Sequence, residues 1–388
     1  MTVFDLSLNV LMLATAAGVV YLVVAVCAVR RFAALASVQP ERRPPVTVLK
    51  PLCGEEPDLY DNLRSFCDRS WPGLQVVFGV RNSADPAIAV VERLKADLPD
   101  LDIALVVDSR VYGTNLKISN VINIMAKAKH DLLVLADSDM QVGPGYLDAV
   151  VGPLLNSSVG LVTCLYRGVP TTPEGSRGLW SELGAMFINH GFLAQVLVGR
   201  LVGANDGCFG ATMALRRDVL DQVGGFEAFK DKLADDYALG AAVRALGLRV
   251  ELSPHVIATG VNEPDLPGLV RHELRWARTL RSIEPAGFGA SIITHPLLPA
   301  TLVLIGSGFA SYGVAIFAAV LAVRIVYNRV TDAALGLPAS QPWLAPLRDL
   351  LSVSVLIASF CGSGVTWREQ KFRVEPDGQM TLDGDIRP

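Results

Sequence analysis

The chain has 388 residues, half of them hydrophobic and only 19% charged, with a mean hydropathy of +0.40. That length holds one large domain plus membrane segments, and the apolar excess must sit in particular stretches. A net charge of −4 speaks against a general nucleic-acid binder, which needs a basic surface. The six cysteines, Cys27, Cys53, Cys67, Cys164, Cys208 and Cys361, form no CxxC pair, so neither a zinc knuckle nor a disulfide scaffold is indicated. Reduced, cytosol-facing thiols are the reading that remains.

Residues 6–29 carry no charge, and about 20 apolar residues suffice to cross a bilayer. The run starts after Asp5 and ends at Arg30-Arg31, whereas a signal peptide has a basic start and a shorter core. An uncleaved anchor is expected. Arg30, Arg31, Arg42 and Arg43 put its far end in the cytoplasm. Residues 296–323 form a second uncharged run and residues 350–367 a third, just long enough to span. A short polar loop, 324–349, separates them. Three crossings return the tail to the cytoplasm, in accord with Arg368, Lys371 and Arg373. The alternative for the third run is a buried or re-entrant helix. In the tail, residues 371–374 and 379–382 flank Pro376-Asp377-Gly378 and read as a small hairpin.

Between the anchors, residues 46–49, 74–80, 103–107 and 132–136 are short β-branched or apolar runs bounded by Pro, Gly, Asp or Asn. They alternate with stretches of helical spacing at 57–66, 86–98 and 116–128. This order predicts a mostly parallel, doubly wound sheet. Ligands of such sheets bind beyond the carboxyl ends of the strands.

Three polar segments follow those strands: Arg81-Asn82-Ser83-Ala84-Asp85-Pro86, Tyr112-Gly113-Thr114-Asn115-Leu116-Lys117 and Asp137-Ser138-Asp139. The last sets Asp137 and Asp139 one residue apart at an open strand end. Such hard oxygens suit a Mg²⁺ or Mn²⁺ that also holds a diphosphate; alone, a D-x-D is more often a helix cap. Lys117 suits phosphate charge, or else a solvated helix face. Asp85, before Pro86, is a good N-cap as well as a nucleotide contact. Asp235 and Asp236 open an apolar helix, where the helix dipole favours acids, yet two exceed that need and one is a candidate general base. In Arg271-His272-Glu273-Leu274-Arg275-Trp276-Ala277-Arg278, a helix puts Arg271, Arg275 and Arg278 on one face. That face suits a diphosphate or lipid phosphates at the membrane surface. Residues 180–198 are apolar enough for an in-plane membrane helix admitting a lipid; Asn189 and His190 interrupt it, although a lone histidine there is usually structural.

Together these pieces resemble the ceramide glucosyltransferase family, glycosyltransferase family 21, over residues 46–281. The signposts are Leu49-Lys50-Pro51-Leu52, Asp85-Pro86-Ala87, Asn115-Leu116-Lys117-Ile118-Ser119-Asn120, Asp137-Ser138, Val219-Leu220-Asp221-Gln222 with Gly224-Gly225, Ala234-Asp235-Asp236-Tyr237, and Arg275-Trp276. The resemblance implies a GT-A type, doubly wound mixed sheet on the cytoplasmic side, with one N-terminal and two C-terminal transmembrane helices. It implies three site aspartates, Asp85, Asp137 and Asp236, and a final (Gln/Arg)-x-x-Arg-Trp motif at 272–276. His272 departs from that motif, so Arg275 and Trp276 are its surer members. His190 falls where the family carries a histidine near donor or acceptor. The Asp-Ser-Asp triplet and the His-Glu-Leu-Arg-Trp form look more like the bacterial branch resembling the hopanoid-biosynthesis enzyme, which adds N-acetylglucosamine to bacteriohopanetetrol.

The expected organisation is an anchor at 1–31, a transferase domain at 32–265, an interfacial helix region at 266–295, two transmembrane helices at 296–367 and a cytoplasmic tail hairpin at 368–388. The expected setting is a bacterial inner membrane. The expected activity is inverting transfer from a UDP-sugar to a lipid alcohol, hopanoid or sphingolipid. Asp236, Arg275, Trp276 and His190 are the catalytic candidates. Asp85, Lys117, Asp137, Asp235, His272 and Arg278 are the nucleotide-sugar contacts, and Asp137 and Asp139 the metal ligands. A processive polysaccharide synthase would need more membrane helices, and a non-catalytic scaffold would not need these aspartates.

Overall fold

A computed structural model of the chain describes residues 3–54, 56, 58–171, 178–203, 207–362, 364–367, 370–374 and 380–382. The chain divides into two compact units. A sheet unit comprises Ala36–Val169, Asp206–Gly260 and Gly378–Pro388; a helical unit comprises Met1–Leu35, Pro170–Asn205 and Val261–Asp377. Residues 170–205, expected within the transferase domain, thus belong with the helices.

The sheet unit is built on eight strands: β1 Val46–Pro51, β2 Leu74–Val80, β3 Asp102–Val107, β4 Leu132–Leu135, β5 Met140–Gln141, β6 Val159–Pro170, β7 Met213–Arg216 and β8 Arg249–Val261. Their spatial order is β3-β2-β1-β4-β7-β6-β8-β5. The first four expected strands are present within a residue or two, and β1 pairs in parallel with both β2 and β4, β2 with β3. The rest of the sheet is mixed, because β7 runs antiparallel to β4 and to β6, and β5 to β8.

Each central strand feeds two cores. Val46, Val48, Val76, Phe78, Leu132 and Val134 pack on one face, while Leu49, Val77, Leu133 and Leu135 pack on the other. Alternate side chains point to opposite faces, so a strand buried on both sides reads as an unbroken apolar run. On the second face helix Leu116–Met125 lies close to β2. A Cβ at Gly79 would stand 2.1 Å from Ile124 Cγ2 and 2.5 Å from Asn120 Oδ1. Asn120 Nδ2 donates to the carbonyls of Gly79 and Leu52, 2.8 and 3.3 Å away, tying the carboxyl ends of β2 and β1 together. Gly79→Ala is therefore expected to destabilise the protein by about 1–3 kcal/mol through overpacking. A fall in thermal midpoint in detergent checks this; an unchanged midpoint would mean that the helix can move away freely.

In the helical unit, Ser7–Ala33 and Ser311–Ala334 are long and apolar enough to cross a membrane. The pair Pro285–Thr294 and Leu297–Gly306, bent by 57°, makes up to a third span. The expected second crossing, 296–323, is not one helix. It breaks after Gly306, where Gly308 (φ 62°) and Phe309 (φ 60°) are left-handed. Their N–H groups return to the carbonyls of Ile305 and Leu304, a helix stop that glycine permits. The next helix then runs on to Ala334, through residues expected in a loop.

The expected third crossing is also corrected. Its helix is Leu344–Ser359, 16 residues, followed by strand Gly364–Trp367 paired antiparallel with Gln370–Val374. This is shorter than a span and agrees with the alternative of a buried helix. In the tail the strands Gln370–Val374 and Met380–Leu382 are present, while the expected turn at Pro376-Asp377-Gly378 lies outside the described residues. Charge counting misjudged 324–349 because Arg324, Asp332, Arg348 and Asp349 are matched in pairs. Arg324 Nη2 lies 2.8 Å from Asp349 Oδ1, Arg348 meets Glu273 at 2.6 and 2.7 Å, and Asp332 meets His190 at 2.6 Å. Matched ions can sit inside helices where lone ones cannot.

Candidate active site

The carboxyl ends of β1, β2 and β4 share one edge of the sheet, and the polar segments after them gather there as the topology requires. Asp137 follows β4. Lys117 stands in the first turn of helix Leu116–Met125, whose cap is Asn115: its Oδ1 accepts from Ile118 N–H at 3.0 Å. The same Asn115 uses Nδ2 to reach the Lys232 carbonyl (2.8 Å) and Asp235 Oδ1 (3.3 Å). One side chain thus starts one helix and holds the start of another, Asp235–Ala245. Between them the Lys117 ammonium lies 2.8 Å from Asp137 Oδ1 and 3.3 Å from Asp235 Oδ2. Burial works against that ammonium, but Asp137 and Asp235 outweigh it and its pKa rises.

Asp236 is held from two backbone donors. Gly210 N–H donates to its Oδ2 at 2.7 Å and Tyr237 N–H to its Oδ1 at 2.8 Å. Burial first, and neighbouring Asp235 second, push its carboxyl up to about 6, against the pull of Lys117 and the two N–H donors. A carboxylate so tuned is poised to exchange a proton near neutrality. Gly210 lies at the centre of the group. A Cβ there would meet Asp236 Oδ2 at 3.3 Å, Lys117 Nζ at 3.4 Å and Asp137 Oδ2 at 3.5 Å. The missing side chain leaves a space rimmed by two carboxylate oxygens and one ammonium.

Asp139 is turned otherwise. Its Oδ2 accepts from Thr259 Oγ1 at 2.9 Å, and burial together with Asp137 raises its pKa. Behind the Asp-Ser-Asp loop lies Lys50, fully buried at the end of β1. Its ammonium donates to the Asp137 carbonyl and sits 3.7 Å from the centre of the Phe66 ring. Burial pulls Lys50 down to about 7, opposed by Asp139, Asp137 and Glu56. Asp85, after β2, accepts from Gly54 N–H at 3.0 Å through each oxygen and from Ala87 N–H at 3.0 Å. It therefore caps the helix that begins at Ala87 and fastens the loop after β1 on this same edge.

Oxygen donors of this kind suit a hard divalent ion. Among the described residues, no three His, Cys, Asp or Glu side chains form a ready metal cage. The oxygens facing the Gly210 space belong to Asp137 and Asp236, so the expected pair Asp137 and Asp139 is only half matched by that space.

The remaining candidates lie in the helical unit. Helix Leu266–Ile283 is capped by Asp265 and carries His272, Arg275, Trp276 and Arg278. Trp276 packs between the tilted Phe187 ring (5.7 Å between ring centres) and an edge-on His272 (4.6 Å). His272 Nδ1 lies 2.8 Å from Glu263 Oε1. Arg278 donates to the Gly364 carbonyl and Arg281 to those of Ser359 and Gly362. Arg278 is thus engaged through one nitrogen with the backbone that follows helix Leu344–Ser359. Arg275 is partly exposed on the same helix. His190 is buried in a π-helical turn, Phe187–Phe192. Such turns recur at functional positions.

Sequence reasoning quoted Lys50 and Asn115 only within motifs, with no role of their own, and passed over Gly210 and Thr259. Lys50 carried a signal, a charge ending an otherwise apolar strand. Gly210 and Thr259 are chosen by contacts between residues far apart in the chain.

Comparison with known proteins fits this arrangement. The profile described as Glycosyl transferase family 21 matches residues 10–380. Ceramide glucosyltransferase 1 of Caenorhabditis elegans is 26% identical over 213 residues, which is 55% of this chain and 44% of that protein. Ceramide glucosyltransferase 3 of the same organism is 23% identical over 354 residues, 87% of this chain and 74% of that protein. The chain therefore matches less than half the length of the first relative and about three quarters of the second. Among solved structures, the mannosyltransferase PcManGT from Pyrobaculum calidifontis, in complex with GDP-Man and Mn2+, aligns with a TM-score of 0.54 at 20% identity. That alignment covers 91% of this chain and 99% of that one, a likeness of fold that makes this sheet GT-A-like. With a family profile matched over nearly its whole length, the chain belongs to glycosyl transferase family 21.

Proposed function

We propose that this enzyme moves one hexose from a UDP-sugar to the hydroxyl of a lipid alcohol, with inversion at the anomeric carbon, at the cytoplasmic face of a bacterial inner membrane. The observation that carries the reading is Lys117 bridging Asp137 and Asp235 beside the up-shifted Asp236, at the carboxyl edge of parallel strands. Asp236 takes the proton from the acceptor hydroxyl. The acceptor oxygen bonds to the anomeric carbon as the bond to the diphosphate oxygen breaks, and UDP leaves. Lys117 bears part of the diphosphate charge, and Asp85 holds the loop on which the nucleoside rests. Asp137 and Asp139 would hold a Mg²⁺ or Mn²⁺. Bound there, the ion would neutralise the leaving diphosphate. Arg275 and Trp276 serve the departing UDP, and His190 serves the acceptor.

The Asp-Ser-Asp and His-Glu-Leu-Arg-Trp forms favour N-acetylglucosamine donated to a hopanoid such as bacteriohopanetetrol. The names of the two worm relatives favour glucose donated to ceramide. Purified protein offered UDP-glucose and UDP-N-acetylglucosamine, each with hopanoid and with ceramide, separates the two by mass spectrometry of the lipid product. One sugar per lipid is expected in one of the four pairings. Chains of sugars would instead mean a processive synthase, and no UDP release with any lipid extract would remove the enzymatic reading.

A further inference from the structure

Gly210 is a glycine where the backbone does not require one. Elsewhere in the chain the reason for glycine is local: Gly308 is left-handed, with φ 62°, and a Cβ at Gly79 would strike Ile124 at 2.1 Å. Neither reason holds at Gly210. Its φ lies outside the left-handed region. The three atoms nearest to a Cβ there are all ends of charged side chains, Asp236 Oδ2, Lys117 Nζ and Asp137 Oδ2 at 3.3, 3.4 and 3.5 Å. A methyl group would ask Asp236 to give by a few tenths of an ångström and the other two by nothing.

The turn that carries Gly210 is held on both sides. Thr163 Oγ1, on β6, accepts from Phe209 N–H at 2.9 Å and donates to the Phe209 carbonyl at 3.0 Å. Thr212 N–H returns to that same carbonyl at 3.3 Å, and Gly210 N–H donates to Asp236 Oδ2 at 2.7 Å. The space in front of Gly210 is therefore a fixed volume and not slack in a loop. It is also open to solvent at its rim, where the Asp137 and Lys117 side chains are 33% and 16% exposed.

Charge limits what can fill this space. Its rim is two carboxylates and one ammonium. A phosphate placed there would face both carboxylates, and a metal ion would lie against the ammonium. A hydroxyl group meets neither objection, because it donates to a carboxylate oxygen while accepting from an ammonium. An oxygen near the absent Cβ position would be within a few tenths of an ångström of ordinary hydrogen-bond distance from these atoms. One hydroxyl needs no more room than the absent methyl group.

We infer that Gly210 is a specificity-determining residue, and that the space left by its missing side chain receives one hydroxyl of the transferred hexose. That hydroxyl donates to Asp137 Oδ2 and accepts from Lys117, which leaves Asp236 to the acceptor. The inference rests on the UDP-sugar reading above and adds to it the residue that makes room for the sugar.

The test is binding by the full chain in detergent with Mn²⁺ and no lipid acceptor added, read by titration calorimetry. The probes are UDP, UDP-glucose and UDP-N-acetylglucosamine, with the monodeoxy analogues of each sugar, every one lacking a single hydroxyl. Gly210→Ala should fold with an equal or higher thermal midpoint, because alanine narrows the unfolded ensemble wherever the native backbone accepts it. It should bind UDP as the wild type does, and the UDP-hexose roughly tenfold more weakly, as loss of a hydrogen bond to a charged group implies. In the wild type, one monodeoxy analogue should lose a similar factor. In Gly210→Ala that analogue should bind no more weakly than its parent sugar, since the methyl group then stands where the oxygen is missing. Failure of Gly210→Ala to fold would show that the backbone does need glycine, and overturns the inference. Equal weakening of UDP and UDP-hexose would assign the turn to the nucleotide, and also overturns it. So would unchanged UDP-hexose affinity in the variant, or equal wild-type affinity for every analogue, since the space would then hold only solvent. A wild type that binds neither UDP nor either UDP-sugar would remove the proposed donor as well, an outcome distinct from a wild type that binds them and a variant that is unaffected.

Discussion

Asp236→Asn is expected to lower turnover by about 10²–10⁴-fold, the usual worth of a general base, while UDP-sugar binding persists. The asparagine amide oxygen can still accept from Gly210 N–H, now 2.7 Å from the carboxylate, while the Tyr237 N–H loses its 2.8 Å acceptor along with the base. The pH profile adds a second readout. The Asp236 carboxyl is pushed up to about 6, and the ionised form is the base. Log kcat/KM of the wild type should therefore rise with unit slope as pH climbs toward about 6 and level off above it. The asparagine variant should lack that limb. The sign for stability runs the other way. A carboxyl raised on folding favours the protonated folded state, and that contribution is lost as pH rises through about 6. At pH 7 the folded wild type carries an unfavourable charge that the variant lacks, which offsets the loss of the Tyr237 N–H bond. Unfolding in detergent, run beside the rate measurement, separates loss of the base from loss of the fold. Near-normal UDP release by Asp236→Asn would take the residue out of the role.

Arg348→Met should produce the largest loss of stability, about 3–5 kcal/mol, the usual effect of stranding one member of a buried ion pair. Arg348 and Glu273 side chains are only 2% and 3% exposed. Two guanidinium nitrogens meet the two Glu273 oxygens at 2.6 and 2.7 Å. The remaining donors reach the Leu183 carbonyl (3.0 Å) and Ser352 Oγ (3.1 Å). The guanidinium also faces the Phe187 ring at 5.5 Å, and Phe187 packs against Trp276. Removing the cation leaves Glu273 charged among apolar neighbours and loosens the helix that carries Arg275 and Trp276. Pairing Arg348→Met with Glu273→Leu should recover most of the loss, because the desolvated charge goes with its partner. Unfolding in detergent measures both. A loss below about 1 kcal/mol in the single variant would show that water reaches the pair, since exposed pairs are worth no more than that.

The residues that sequence alone brought forward and those it did not differ in kind. Asp137, Lys117, Asp235 and Asp236 stood out because each ends a strand or opens a helix, and parallel-sheet topology sends all such positions to one edge. Their actual partnership, with Lys117 shared between Asp137 and Asp235, needed the distances. Asp139 looked equivalent to Asp137 by spacing, and only the structure shows that Thr259 on β8 donates to one of its oxygens. Arg278 stood out because a basic helix face suits phosphate, and its bond to the Gly364 backbone needed the structure.

Local rules settled the strands β1 to β4, the first membrane-length helix and the carboxylates at the sheet edge. A period of two, a long uncharged run and a polar residue after a strand are properties of neighbouring residues, and burial of apolar surface enforces them wherever the chain folds. Tertiary structure alone decided which charges could be buried. Glu273 finds Arg348 75 residues away and His190 finds Asp332 142 residues away, and those pairings turned an expected polar loop into helix. The cost of burying an ion depends on its partner, and a partner that distant leaves no mark in local composition.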